Sequence, residues 1–216
     1  MNLLAQAWDM FMADPSRVGA ALWTHVLLSA CALGLGALVA VPLGMRLALS
    51  QRGVLLAINL ANTGRTLPSL AVLALAMPLL GTGFLPSLVA LALLALPPIL
   101  LNTYAGVRGI DPEVIDAARG MGMRERQITW RVRLPLAQPT IFAGLRIAAV
   151  QVISGATLAA YIGGGGLGEF ITSGVAMMAV PQVLLGAIPA TLLAIAVDSL
   201  FGSLQKHLTP KGLRNP

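Results

Sequence analysis

The sequence predicts an all-α integral membrane protein with about five transmembrane helices and one soluble inner helix. Of its 216 residues, 57% are hydrophobic and 10% are charged, whereas soluble domains carry about 25% charged residues. Uncharged runs occupy residues 18–45, 66–107, 147–168 and 170–197. Each run is long enough for a transmembrane helix, which needs about 20 apolar residues. The expected environment is therefore a lipid bilayer.

Glycine and proline clusters divide the apolar sequence into five predicted spans, because loops and helix breaks at membrane depth must be protected from lipid. The second span is interrupted at residues 65–68. The five spans cover about 20–49, 54–80, 85–106, 136–160 and 182–204. We interpret the whole chain, 1–216, as a single transmembrane domain.

The positions of Lys and Arg orient the spans, since short cytoplasmic loops carry an excess of these residues. With the N-terminus outside, Arg17 is the only basic residue in an outer segment, and eleven lie inside. The inner ones are Arg46, Arg52, Arg108, Arg119, Arg124, Arg126, Arg131, Arg133, Lys206, Lys211 and Arg214. This bias predicts an outer segment at 1–19, a cytoplasmic loop at 109–135 and a cytoplasmic tail at 205–216.

The loop at 109–135 is the most polar part of the chain. Asp111 followed by Pro112 is typical of a helix start, with an N-cap and a proline in the first turn. A short helix is expected from Pro112 to about Arg119, ended by Gly120 and Gly122. A second helical stretch should lead to the membrane. Composition alone leaves two alternatives open, a helix that docks on another surface and a solvated connecting loop.

This loop resembles the EAA signature of ATP-binding-cassette importer permeases, which is Glu-Ala-Ala, three residues, Gly, nine residues and Ile-x-Leu-Pro. Here Asp116-Ala117-Ala118, Gly122 and Val132-Arg133-Leu134-Pro135 follow the same spacing. Asp116 and Val132 are conservative departures from the signature. In that family the loop carries the coupling helix, which sits in a cleft of the ATPase subunit. The resemblance implies this role for Asp116, Ala117, Ala118, Gly122, Leu134 and Pro135, and a fold like that of methionine-importer permeases.

Further stretches are similar to the osmoprotectant branch, which imports glycine betaine, carnitine, choline and related quaternary amines. They are 65–70, 102–108, 116–122 and 162–169. The resemblance implies a multi-pass subunit of the bacterial inner membrane that dimerises with a second copy or a similar permease. It also implies two ATPase subunits, which use ATP and Mg, and an extracytoplasmic solute-binding protein. The alternative solute is another small molecule such as methionine.

Two other classes of membrane protein remain as alternatives. A secondary transporter would call for paired acidic residues near the midplane and two matched repeats, and neither is evident. An intramembrane enzyme would need a nucleophile or a metal constellation within the spans, and the two histidines, His25 and His207, are far apart. The chain contains no G-x-x-x-x-G-K-[ST] phosphate-binding loop. We therefore expect a transport subunit, not an enzyme, that binds no cofactor and no nucleic acid.

A glycine cluster follows the fourth predicted span. Gly163, Gly165 and Gly168 formally match a dinucleotide-binding pattern, but that pattern requires a preceding strand and a βαβ unit. We interpret them instead as a tight or re-entrant outer turn. With Glu169, they are candidates for the outer gate or for docking of the binding protein.

Charged residues within spans are costly and point to function by default. Arg146 lies in the fourth span and Asp198 in the inner half of the fifth, so they could form a structural ion pair or face the translocation path. The helix break supplies the other path candidates, Arg65, Thr66, Pro68 and Ser69.

Overall fold

A computed structural model describes residues 2–50, 55, 59, 62–64, 66 and 68–208 of the chain, and all its regular elements in these ranges are helices. The α-helices are α1 (Leu3–Ala13), α2 (Pro15–Ser50), α3 (Ser69–Leu80), α4 (Phe84–Arg108), α5 (Pro112–Gly120), α6 (Glu125–Ile128), α7 (Leu134–Ala159), α8 (Gly168–Ala176) and α9 (Val180–Leu208). A π-helical turn at Thr129–Arg133 joins α6 to α7, and a 3₁₀ turn at Ala160–Ile162 follows α7.

Four segments of the described chain are long and apolar enough to cross a membrane: Pro15–Ser50, Phe84–Arg108, Glu125–Ile162 and Val180–His207. They correspond to the first, third, fourth and fifth predicted spans, so the predicted fold class is confirmed. Of the second predicted span, the structure describes the short helix α3, which begins directly after Pro68 at the predicted interruption.

The core of the bundle is formed by α2, α4 and α7. Leu28, Leu91, Ile99 and Val152 are fully buried where these helices meet. The helices approach closely at small residues, as is usual where membrane helices pack. A Cβ added to Gly144 of α7 would lie 2.6 Å from the Cβ of Asn102 on α4.

The segment predicted to lie outside at 1–19 contains a helix that the sequence analysis did not anticipate. Helix α1 is capped by Asn2, whose side-chain oxygen accepts a hydrogen bond from the Leu4 amide. Leu4 and Ala7 line an apolar groove of about 340 Å³ between α1 and the start of α9. The N-terminal segment is therefore folded against the bundle.

A second unanticipated helix, α8, lies in the connection between α7 and α9. Phe170 of α8 is buried together with Val18 of α2 and Leu185 of α9. The guanidinium of Arg17 lies over the Phe170 ring at 5.3 Å from its centroid, close enough for a cation–π attraction. The connection predicted as a tight turn is thus a turn followed by a packed helix.

Candidate functional site

The predicted coupling helix forms as α5. The Asp111 carboxylate accepts a hydrogen bond of 2.9 Å from the Glu113 amide, and Pro112 occupies the first helical turn. The helix ends at Gly120, and Gly122 adopts a left-handed backbone with φ of 77°. A residue other than glycine would be strained at Gly122, because a Cβ disfavours this conformation. The local sequence therefore fixes both ends of α5.

The two faces of α5 differ in their surroundings. Ile115 and Ala118 are buried against Ile128 of α6 and form a small core inside the loop. Asp116 and Ala117 lie on the exposed side. Ala118 was expected to contribute a small residue to a docking surface, but the structure places it in the loop's own core. The exposed side of α5 is thus the part of the helix that is accessible for a partner, and the coupling role stays a prediction.

Leu134 and Pro135, the other two residues of the signature, begin α7 directly after the π-helical turn. Both are partly buried. They anchor the membrane end of the loop, and their role in coupling stays a prediction.

A network of ion pairs links α5, α6 and the π-helical turn. Glu125 receives hydrogen bonds from the Nε of Arg119 at 2.8 Å and from an Nη1 of Arg133 at 3.2 Å. Arg119 also pairs with Asp116 at 3.0 Å. The Arg119 hydrogen bond holds the pKa of Glu125 below its usual value, and Glu125 raises the pKa of Arg119. Glu125 was not among the predicted site residues, although a carboxylate between Arg124 and Arg126 was the available signal.

Arg146 and Asp198 form a two-pronged ion pair between α7 and α9. The Nε and an Nη2 of Arg146 each lie 2.6 Å from a carboxylate oxygen of Asp198. About two fifths of each side chain is exposed in the isolated chain, with relative areas of 40% and 39%. The predicted contact is therefore present, whereas its relation to a translocation path stays a prediction.

The helix-break residues lie just before and at the start of α3. Thr66 donates a hydrogen bond of 2.8 Å to the Thr63 carbonyl, and Pro68 is the N-cap of α3, which begins at Ser69. None of the hydrogen bonds or ion pairs given for the described residues connects them to Arg146 or Asp198. Arg65 lies outside the described residues, as does the end of the predicted tail, 209–216.

The glycine cluster forms a tightly packed turn at the end of α7 that precedes α8. Gly163 and Gly165 have left-handed backbones, with φ of 79° and 77°. Gly168 is buried against the Thr157 carbonyl. The Gly83 amide donates a hydrogen bond of 2.7 Å to the Ile162 carbonyl, which ties the turn to the start of α4.

His25 of α2 lies beneath this turn and is fully buried. Its Nε2 lies 3.1 Å from the Ile153 carbonyl of α7. A Cβ on Gly166 would lie 3.1 Å from its Nδ1. Glu169 is exposed at the start of α8. Gly168 therefore allows close packing, whereas Gly163 and Glu169 are exposed. The role of the cluster as a gate or docking surface stays a prediction.

Gly168→Ala is expected to destabilise the protein by about 1–3 kcal/mol, the usual cost of overpacking, because the added methyl group would overlap the Thr157 carbonyl. Gly34→Ala is the matched control, since nothing lies within 4 Å of a Cβ at that position. Thermal unfolding of the purified protein in detergent measures both effects. Equal midpoints for Gly168→Ala and the wild type would contradict the packing role.

Comparison with known protein families supports a transport subunit. Residues 32–212 match the family described as "Binding-protein-dependent transport system inner membrane component". The chain is 46% identical over 192 residues to the carnitine transport permease protein OpuCB of Listeria monocytogenes, covering 89% of this chain and 88% of that one. It is 42% identical over 192 residues to the choline transport system permease protein OpuBB of Bacillus subtilis, with the same shares.

A third relative and a solved structure extend these similarities. The osmoprotectant import permease protein OsmW of Salmonella typhimurium is 36% identical over 210 residues, covering 94% of this chain and 98% of that one. An inward-facing structure of the MetNI methionine ABC transporter matches with a TM-score of 0.81 over 90% of this chain and 97% of that chain. At 18% identity, this structural match shows the fold alone.

Proposed function

The chain belongs to the family of binding-protein-dependent transport system inner membrane components, and we propose that it carries osmoprotectants such as glycine betaine, carnitine or choline. It is a multi-pass permease subunit of an ABC importer of the inner membrane, and it is not itself an enzyme. The observation that carries the solute proposal is the similarity at 42–46% identity to carnitine and choline permeases over 88% of their length. The methionine alternative rests on a likeness of fold only.

The proposed partners follow from the family and from the exposed surface of α5. Two ATPase subunits bind the cytoplasmic side and use ATP and Mg, and α5 seats in one of them through the side that carries Asp116 and Ala117. A second permease copy or a similar permease completes the path across the membrane. An extracytoplasmic binding protein delivers the solute to the outer surface. Alternating access then follows when closure of the ATPases moves α5.

The proposed translocation path includes the face that carries Arg146 and Asp198. Arg146 follows Leu134 by twelve positions, which corresponds to about 18 Å along α7 and places it well inside a bilayer. A charged pair at that depth is costly against lipid tails and normally faces protein or water. Its partial exposure in the isolated chain therefore favours a surface covered by the second permease or by a water-filled path. Arg65, Thr66, Pro68 and Ser69 stay candidates for the same path.

We propose that the N-terminus lies outside and the C-terminus in the cytoplasm. The support is the excess of basic residues on one side of the spans, which marks the cytoplasmic side. A reporter enzyme that is active only after export, fused after Asn215, is expected to be inactive. Activity of that fusion would contradict this orientation and indicate that the C-terminus lies outside.

Reconstitution into proteoliposomes tests the proposed function. The permease is combined with its ATPase and binding protein, and uptake of labelled glycine betaine, carnitine, choline and methionine is measured. We expect ATP-dependent uptake of at least one of the three osmoprotectants and none of methionine. Uptake of methionine alone would overturn the solute class, and uptake driven by an ion gradient without the ATPase would indicate a secondary transporter.

A further inference from the structure

Glu125 forms ion pairs with two parts of the chain, helix α5 and the π-helical turn. Its Oε1 accepts a hydrogen bond from Arg119 on α5, and its Oε2 accepts one from Arg133 at the end of the π-helical turn. Each carboxylate oxygen therefore accepts one hydrogen bond, one from α5 and the other from the π-helical turn. Arg133 is the more enclosed partner, with 14% of its side chain exposed.

The apolar contacts of α5 are made with the same segment of the chain as the ion pairs. Ile115 and Ala118 pack on Ile128 of α6, together with Met123 and Val132. These contacts and the Glu125 ion pairs attach α5 to the segment that leads into α7.

The opposite relation holds between α5 and the inner ends of α2 and α4. A cavity of about 460 Å³ lies there, lined by Ala48 of α2, Val107 and Arg108 of α4 and Ile115 of α5. Helix α5 is therefore held against α6 and the π-helical turn, which leads into α7. A displacement of α5 has a direct route to α7 through these side-chain contacts, and it reaches α4 through the short connection at 109–111, where Ile110 packs on the clusters of both.

The π-helical turn at Thr129–Arg133 lies on that direct route. Such turns are rare and occur frequently at functional sites, where the helical ladder departs from its regular pattern. Glu125 precedes the turn and Arg133 ends it, so their ion pair spans the turn from one side to the other. The ion pair can therefore limit bending at a place where the helix is locally irregular.

We propose that Glu125 is a positioning residue that makes α5, the π-helical turn and the base of α7 move as one body. The proposal rests on the proposed function, because it is the ATPase that would displace α5. Displacement of α5 is then transmitted to α7, which carries Arg146 and is paired through it with α9. Without Glu125, part of the displacement is absorbed at the turn.

The charge of Glu125 is present under cytoplasmic conditions. Its pKa is lowered by the Arg119 hydrogen bond, so the contribution of the ionised carboxylate is complete above the ordinary value of about 4.3 and is lost as the pH falls through the lower folded value. Exposed ion pairs contribute little to stability singly. The proposed role concerns the relative orientation of two helices, and a network of four charged side chains, Asp116, Arg119, Glu125 and Arg133, suits it better than a single pair.

The first test compares Glu125→Gln with the wild type in the reconstituted importer. ATPase binding and ATP hydrolysis are expected to be retained, while the ATP consumed per solute transported rises by about fivefold or more, within the usual range of coupling between sites. Arg126→Gln is the control, because Arg126 is an exposed neighbour whose side chain has no ion pair among the described residues. An unchanged ratio in Glu125→Gln, or a loss of ATPase binding, would overturn the positioning role.

A second measurement needs no solute and so separates this proposal from the proposed function. Spin labels replace the exposed Met121 and Trp130 in a Cys31→Ser background, and their distance distribution is recorded in detergent. Met121 and Trp130 are exposed by 75% and 59%, so the labels can be accommodated. One narrow distribution is expected, and Glu125→Gln should broaden it, whereas Arg126→Gln should not. Identical distributions in all three proteins would overturn the proposal, even if the wild type transports normally.

Discussion

Arg146→Ala is expected to lower ATP-dependent uptake by about tenfold or more, because it leaves the Asp198 carboxylate without its partner at membrane depth. In the structure this carboxylate receives two hydrogen bonds of 2.6 Å from one guanidinium. The parallel geometry suits arginine in particular, whose planar fork can address both oxygens. Uptake by the Arg146→Lys variant should therefore lie between that of Arg146→Ala and that of the wild type. Uptake per reconstituted permease is the measurement.

A double-mutant cycle tests whether the loss comes from the pair. Breaking an enclosed ion pair by removing one partner costs more than replacing both, since the remaining charge is left uncompensated. Arg146→Ala should therefore be more harmful alone than in combination with Asp198→Ala. Additive losses would show that the two side chains act independently, and the structural pair would then have no role in transport.

The spans were predictable because they depend on local sequence. Apolar length and the glycine and proline breaks predicted five spans, of which four are long helices in the described part of the chain. Asp111 followed by Pro112 predicted the start of α5. The pair of Arg146 and Asp198 was also accessible, because two isolated charges in neighbouring spans have few alternatives to each other. In each case the signal was a property of composition or of short-range spacing.

The parts that escaped prediction depend on three-dimensional contacts. Helix α8 is stabilised by packing of Phe170 against α2 and α9, which no local pattern reveals. The glycines before it were predicted to form a tight or re-entrant turn, with the outer gate or the docking of the binding protein as candidate roles. The structure adds a packing requirement, because Gly168 allows close approach to the Thr157 carbonyl and Gly166 allows close approach to His25. Such a requirement is visible only when the neighbouring helix is known.

Ala118 shows the same limit within the coupling loop. The signature groups Ala117 and Ala118, so the sequence suggested that both belong to one docking surface. Adjacent residues of a helix point about 100° apart, and here Ala118 is 2% exposed inside the loop. Ala117 is exposed. The structure therefore separates a residue that can touch a partner from one that supports the helix internally.

Because Ala117 is exposed and Ala118 is buried, Ala117→Trp is expected to disrupt the coupling of ATP hydrolysis to uptake while the loop stays folded. Bulk on the exposed side of α5 would prevent it from seating in the ATPase, so uptake should fall by about tenfold or more, as when a packed interface loses its complementarity. Membrane levels and thermal stability should stay as in the wild type. The measurements are co-purification of the ATPase and uptake in proteoliposomes.

Two further variants make the result specific. Arg126→Trp places the same bulk on the exposed surface of α6 and should preserve both ATPase binding and uptake. Ala118→Trp should lower stability and membrane levels, because the small core with Ile115 and Ile128 cannot hold an indole. If Ala117→Trp retains full ATPase binding and normal uptake, the exposed side of α5 is not the docking surface. If it behaves like Ala118→Trp instead, with lower stability and membrane levels, the loss of uptake reflects the fold of the loop, and the expectation that Ala117→Trp leaves the fold intact is wrong.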